Sequence, residues 1–76
     1  MKRRAIAETV RRWRELRGLS QRGLAERSGV GYVNIARLEL CQTDPRLSTL
    51  RKLAGALKVT VGELVDGSPK RARGKR

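Results

Sequence analysis

The chain has 76 residues, 38% hydrophobic and 34% charged, with a formal net charge of +12. That length holds one domain with a modest core, and no apolar run approaches the roughly 18 residues that cross a bilayer. The one cysteine, Cys41, excludes an internal disulfide, and without histidine the usual zinc sites are absent.

Ile6, Val10 and Trp13, with Leu16 or Arg17 next, recur at helical spacing and predict a first helix after frayed residues 1–5. Gly18 stops it. Ser20 is a suitable N-cap for a second helix over about 20–27, with Leu24 and Ala25 inward. Ser28-Gly29-Val30 breaks that helix. Gly31 opens a third, over about 31–40, with Ile35 and Leu38 inward. Cys41 to Pro45 reads as a loop, because proline bars a helix from continuing. A fourth helix over about 47–57 places Leu47, Leu50, Leu53, Ala54 and Leu57 on its apolar face. Thr60-x-x-Glu63 is a capping-box pattern and opens a short fifth helix with Val61, Leu64 and Val65. Gly67-Ser68-Pro69 ends the domain. Residues 1–66 therefore form the domain, and 67–76 a disordered basic tail. No segment alternates with period two, so the expected fold is all-α.

Two helices joined through Ser28–Val30 make a helix-turn-helix arrangement. The turn needs positive φ, which Gly29 supplies without steric cost. Ala25 lets the helices cross closely, and Val30 and Ile35 supply the contacts that set the angle.

Fourteen of the 19 basic residues are arginine. Residues 1–17 carry seven cations against Glu8 and Glu15; residues 67–76 carry five and no acid. Arginine's planar fork suits phosphate and guanine edges, so nucleic acid is the leading partner. Catalysis is disfavoured. There is no histidine for an acid/base pair or triad, no GxxxxGK(S/T) phosphate loop, and the seven carboxylates are scattered singly. No metal and no cofactor are expected. No apolar stretch follows Lys2, Arg3 and Arg4, so there is no secretory signal. The expected location is the cytoplasm, on the nucleoid.

The string Leu19-Ser20-Gln21-x-x-Leu24-Ala25-x-x-x-Gly29-Val30-x-x-x-x-Ile35-x-x-Leu38-Glu39 resembles the Cro/repressor-type (Xre) helix-turn-helix regulators. The likeness continues through Pro45-x-Leu47-x-Thr49-Leu50-x-x-Leu53-Ala54-x-Ala56-Leu57-x-Val59 and covers about residues 6–66. It implies a five-helix lambda-repressor-like domain that binds double-stranded DNA in a sequence-specific way, as a regulator read here as a repressor. It also implies a homodimer, formed in solution or only on DNA, on a palindromic operator, with Val59–Val65 as the dimer surface.

The resemblance assigns roles residue by residue. Gln21, with Arg22 beside it, matches the position that touches a backbone phosphate at a helix N-terminus. The third helix becomes the recognition helix in the major groove. Gly31, Tyr32, Val33, Asn34 and Arg37 are its interface residues, and Gln42, Thr43 and Arg46 in the following loop face phosphates. Arg14 and Glu39 match positions that pair across helices one and three, a structural role. Trp13 belongs to the core.

The side chains themselves support these roles. Arg37 is the one cation of the third helix and can bond guanine O6 and N7 bidentately. Val33 can pack on a thymine methyl, Tyr32 can stack or bond a phosphate or base edge, and Asn34 can bond adenine or phosphate.

Three positions depart from the family pattern. Cys41 stands where glycine is usual, so it either takes a left-handed conformation at a cost or alters the loop. Gln42 replaces a lysine or arginine, and Gly31 replaces a Ser/Thr cap. The tail Lys70-Arg71-Ala72-Arg73-Gly74-Lys75-Arg76 resembles an AT-hook weakly and reads chiefly as a nonspecific phosphate attractor. After residue 66 no length is expected to remain for a sensor domain. Two rivals stand beside the regulator. One is an antitoxin-type component that binds a toxin partner and autoregulates its promoter. The other is a membrane-surface or RNA-binding protein using basic helix one.

Overall fold

The computed structural model describes residues 3–66. It contains α1 (Arg3–Leu16), α2 (Gln21–Ser28), α3 (Tyr32–Glu39), α4 (Leu47–Leu57) and α5 (Val61–Asp66), with no strand among the described residues. The tail and its AT-hook likeness lie outside those residues.

Chain termini of these helices follow from local chemistry. Ser20 Oγ accepts from Gly23 N at 2.9 Å and starts α2. Thr60 N donates to Glu63 Oε1 at 2.9 Å while Glu63 N donates to Thr60 Oγ1 at 3.0 Å, a reciprocal capping box that starts α5. Three helix ends close by one pattern, in which two successive N–H groups fold back onto the last turn. After α1, Gly18 N reaches Glu15 O and Leu19 N reaches Arg14 O. After α3, Cys41 N reaches Leu38 O and Gln42 N reaches Arg37 O. After α4, Lys58 N reaches Gly55 O and Val59 N reaches Ala54 O.

That closure requires a left-handed residue. Gly18 occupies it at φ 69°, Cys41 at φ 61° and Lys58 at φ 61°. Gly29 ends α2 at φ 79° by a single bond to Ala25 O. Of the two outcomes expected for Cys41, the structure shows the left-handed conformation. Lys58 is a second strained non-glycine, which the sequence reading did not include.

The core gathers Ile6, Val10 and Trp13 of α1, Leu24 of α2, Val30 of the turn, Ile35 and Leu38 of α3, Leu50, Leu53, Ala54 and Leu57 of α4, and Leu64 of α5. Burying one such leucine or isoleucine stabilises by about 1.5–3 kcal/mol. Thr9 is buried too, its hydroxyl donating to Ala5 O at 2.7 Å. α1 packs on α3, α4 and α5, and α2 packs on α3 and α4.

Three sequence expectations are corrected. α1 begins at Arg3, so residues 3–5 are helical rather than frayed. Leu16 and Leu47 leave the core and are exposed. Each lies at a helix end, where no neighbouring helix covers it. Arg17 takes the place next to Trp13 instead: its guanidinium lies 5.1 Å from the ring centre, and Nε donates to Leu57 O at 2.8 Å. The α1 stripe of Ile6, Val10 and Trp13 lies in this core, and among the described residues no helix is long and apolar enough to cross a membrane.

Candidate nucleic-acid interface

The outward face of α3 is dictated by what the inward face buries. Ile35 and Leu38 are fully packed. At about 100° per residue the opposite side then carries Tyr32, Val33, Ala36, Arg37 and Leu40. Tyr32 is 40% and Val33 57% exposed, and Arg37 is exposed one turn after Val33. Apolar side chains left open to water on a helix with a cation among them suit a partner offering both methyl groups and acceptors. Leu40, 66% exposed, lies on this face and was not among the sequence-derived site residues. Its spacing of seven from Val33 is the signal that could have found it.

α3 is held from behind by a polar clamp. Arg14 Nε and Nη2 donate to the two carboxylate oxygens of Glu39 at 2.8 and 3.1 Å, and Nη1 donates to Leu19 O at 2.8 Å. The side chains of Arg14 and Glu39 are only 13% and 4% exposed. Hydrogen bonding to Glu39 raises the guanidinium pKa above its ordinary range, against desolvation. Gln21 joins this clamp, its Nε2 donating to Glu39 Oε1 at 3.0 Å. The sequence reading gave Gln21 to a phosphate; the structure turns its amide inward to Glu39, leaving the amide's second N–H for another acceptor.

The surrounding helix starts are electropositive. α2, α3 and α4 have no acidic residue in their first turns. Gly31 and Arg46 cap α3 and α4 without a side-chain bond. Such N-termini attract anions. Asn34, Thr43 and Arg46 line one open groove of about 350 Å³ between α3 and the start of α4, together with Asp44, Ser48 and Thr49. Gln42 is exposed just before it, and Gly31 is exposed at the head of α3. Arg22, exposed on α2, lies over the Tyr32 ring at 4.5 Å. The structure therefore brings Arg22 onto Tyr32 at the start of α3 and Asn34, Thr43 and Arg46 together in the groove, with Val33 and Arg37 exposed on α3, while Arg14, Glu39 and most of Gln21 serve as the internal brace. No group of residues that could hold a metal occurs among the described residues.

A two-helix unit with a braced, outward-facing second helix defines a class of protein, and comparison with known proteins names it. A helix-turn-helix family model matches residues 10–64. The chain belongs to the Xre/Cro-type helix-turn-helix family of DNA-binding transcriptional regulators. It is 42% identical to control protein C.SmaI of Serratia marcescens over 60 residues, 79% of this chain and 71% of that protein. It is 32% identical to the HTH-type transcriptional regulator DdrOP3 of Deinococcus deserti over 82% of this chain, but spans only 48% of that protein. The crystal structure of a hypothetical transcription factor, NHTF, from Neisseria superposes with a TM-score of 0.79 at 30% identity, covering 83% of this chain and 72% of that one.

Proposed function

We propose that this regulator recognises its DNA site by laying α3 in the major groove, with Arg37, Val33 and Tyr32 against base edges. Asn34 and Gly31 lie at the edge of the same contact. Arg22, Gln42, Thr43 and Arg46 face phosphates on either side, and Gln21, held to Glu39, has only its second amide N–H to offer one. The observation that carries this reading is the outward face of α3, apolar and cationic together, on a helix fixed by Arg14 and Glu39. A chain with net charge +12 approaches such a partner with strong electrostatic steering. A DNA-binding role, and not catalysis, accounts for these features.

The finer parts of the reading follow from the family. Two copies bind a palindromic operator, with half-sites about one helical turn, roughly 34 Å, apart. Repression follows from occupancy of the operator, as suits a relative of a control protein and a transcriptional regulator. The working location is then the cytoplasm, where the nucleoid lies.

Selection of bound duplexes from a random pool tests this. A recovered palindrome is expected. Arg37→Ala should relax preference at one base pair of each half-site and cost roughly 1–3 kcal/mol. Preference untouched by Arg37→Ala sinks the assignment of α3.

A further inference from the structure

Arg22 stands in an electrostatically awkward place. It is the second residue of α2, at the positive end of that helix, and no carboxylate occupies the first turn. Glu26 is four residues on, the spacing of an intrahelical ion pair. Yet among the described residues no carboxylate pairs with Arg22. Its guanidinium instead crosses to the next helix and lies 4.5 Å from the centre of the Tyr32 ring. Tyr32 is the first residue of α3, and both side chains are exposed.

Stacking on a ring does two things to a guanidinium. It holds the planar fork in one orientation, and it leaves the edge N–H groups open, because the π-face satisfies only the flat side. A cation needed only for phosphate attraction requires neither. We propose that Arg22 and Tyr32 act as one specificity-determining unit, in which the ring of Tyr32 presents the fork of Arg22 to a guanine at the outer end of the half-site. The inference rests on α3 lying in the major groove and deepens that reading: it moves Arg22 from phosphate contact to base selection, with Tyr32 as its positioning residue.

The arrangement makes the two side chains non-independent. Lysine at position 22 keeps the charge but not the fork. Leucine at 32 keeps apolar bulk but not the π-face, whereas phenylalanine keeps the face and loses only the hydroxyl. The test is selection from random duplexes with the full chain, followed by binding titrations at several salt concentrations, for wild type, Arg22→Lys, Tyr32→Phe, Tyr32→Leu, Arg22→Lys/Tyr32→Leu and Arg37→Ala. Thermal melts of each variant verify folding. Arg22→Lys and Tyr32→Leu should each weaken preference for guanine at the same base pair by about tenfold. The double variant should match either single one, Tyr32→Phe should keep the guanine preference at that base pair because the π-face under Arg22 remains, and the salt slope of Arg22→Lys should equal that of wild type. Arg22→Lys with an unchanged base profile overturns the proposal, as do effects of Arg22→Lys and Tyr32→Leu at different base pairs or effects that add. Arg37→Ala separates the two levels. If it flattens its own base pair while Arg22→Lys changes nothing, only this inference fails; if it flattens none, the placement of α3 fails and takes this inference with it.

Discussion

Arg14 grips both carboxylate oxygens of Glu39, at 2.8 and 3.1 Å, across 25 residues of sequence. The bond ties α1 to the last turn of α3, and the third donor of Arg14 ties the turn before α2 through Leu19 O. Gln21 closes the ring on Glu39 from α2. Three helices thus share one carboxylate, and α3 is oriented by it.

Breaking this clamp from one side strands a buried charge. Glu39→Gln should lower stability by about 3 kcal/mol, whereas Arg14→Met/Glu39→Leu together should cost less than that single change. Urea unfolding of the variants at neutral pH reads both values. A double variant weaker than Glu39→Gln would show that the clamp contributes net stability beyond avoiding a stranded charge.

The same pair sets a pH expectation. The guanidinium pKa of Arg14 is raised in the folded chain, chiefly by its bond to Glu39. A raised folded pKa contributes stability that is full below the unfolded value and is lost only as pH climbs through the folded one. For a guanidinium that window lies in strong alkali. The stability difference between wild type and Glu39→Gln should therefore stay constant from neutral pH into mild alkali, followed by urea midpoints. A difference that shrinks there would mean Arg14 gives up its proton early.

Lys58 and Cys41 both hold φ near +61°. Left-handed geometry costs a non-glycine residue about 1–2 kcal/mol, and glycine returns about half of that gain as lost chain entropy. Lys58→Gly and Cys41→Gly should each stabilise by about 0.5–1 kcal/mol in thermal or urea unfolding. Lys58→Val should destabilise, since a β-branched side chain tolerates that region least.

Arg17 joins α1 to the end of α4, stacked on Trp13 and donating to Leu57 O. Arg17→Ala removes a cation from a helix C-terminus, a hydrogen bond and a ring contact, and should cost about 1–2 kcal/mol. Arg17→Lys should recover only part of it, because an ammonium lacks the flat face.

Residues 67–76 hold five cations and no acid. Deleting them should lower the slope of log affinity against log salt by as much as about 4, while the preferred site from duplex selection stays the same. A deletion that abolishes preference would assign the tail to the groove rather than to phosphates.

Much was legible in the chain itself. Apolar spacing, Gly18, Ser20, Gly29, Pro45 and the Thr60–Glu63 box each act within a few residues, so they place five helices and the turn before any packing is known. The exposed face of α3 follows once Ile35 and Leu38 are given inward. What could not be read lay across the fold. Leu16 and Leu47 share the apolar spacing of their neighbours yet sit where no other helix arrives. Gln21 matches a phosphate-facing position, but the Glu39 carboxylate 18 residues away claims its amide. Arg22 is a surface cation in the sequence, and only the crossing of α2 and α3 sets a tyrosine ring beneath it. Periodicity and capping are short-range interactions that a linear chain encodes directly. The partners of Gln21 and Arg22, and the fate of Leu16 and Leu47, depend on distances that exist only after the helices have docked.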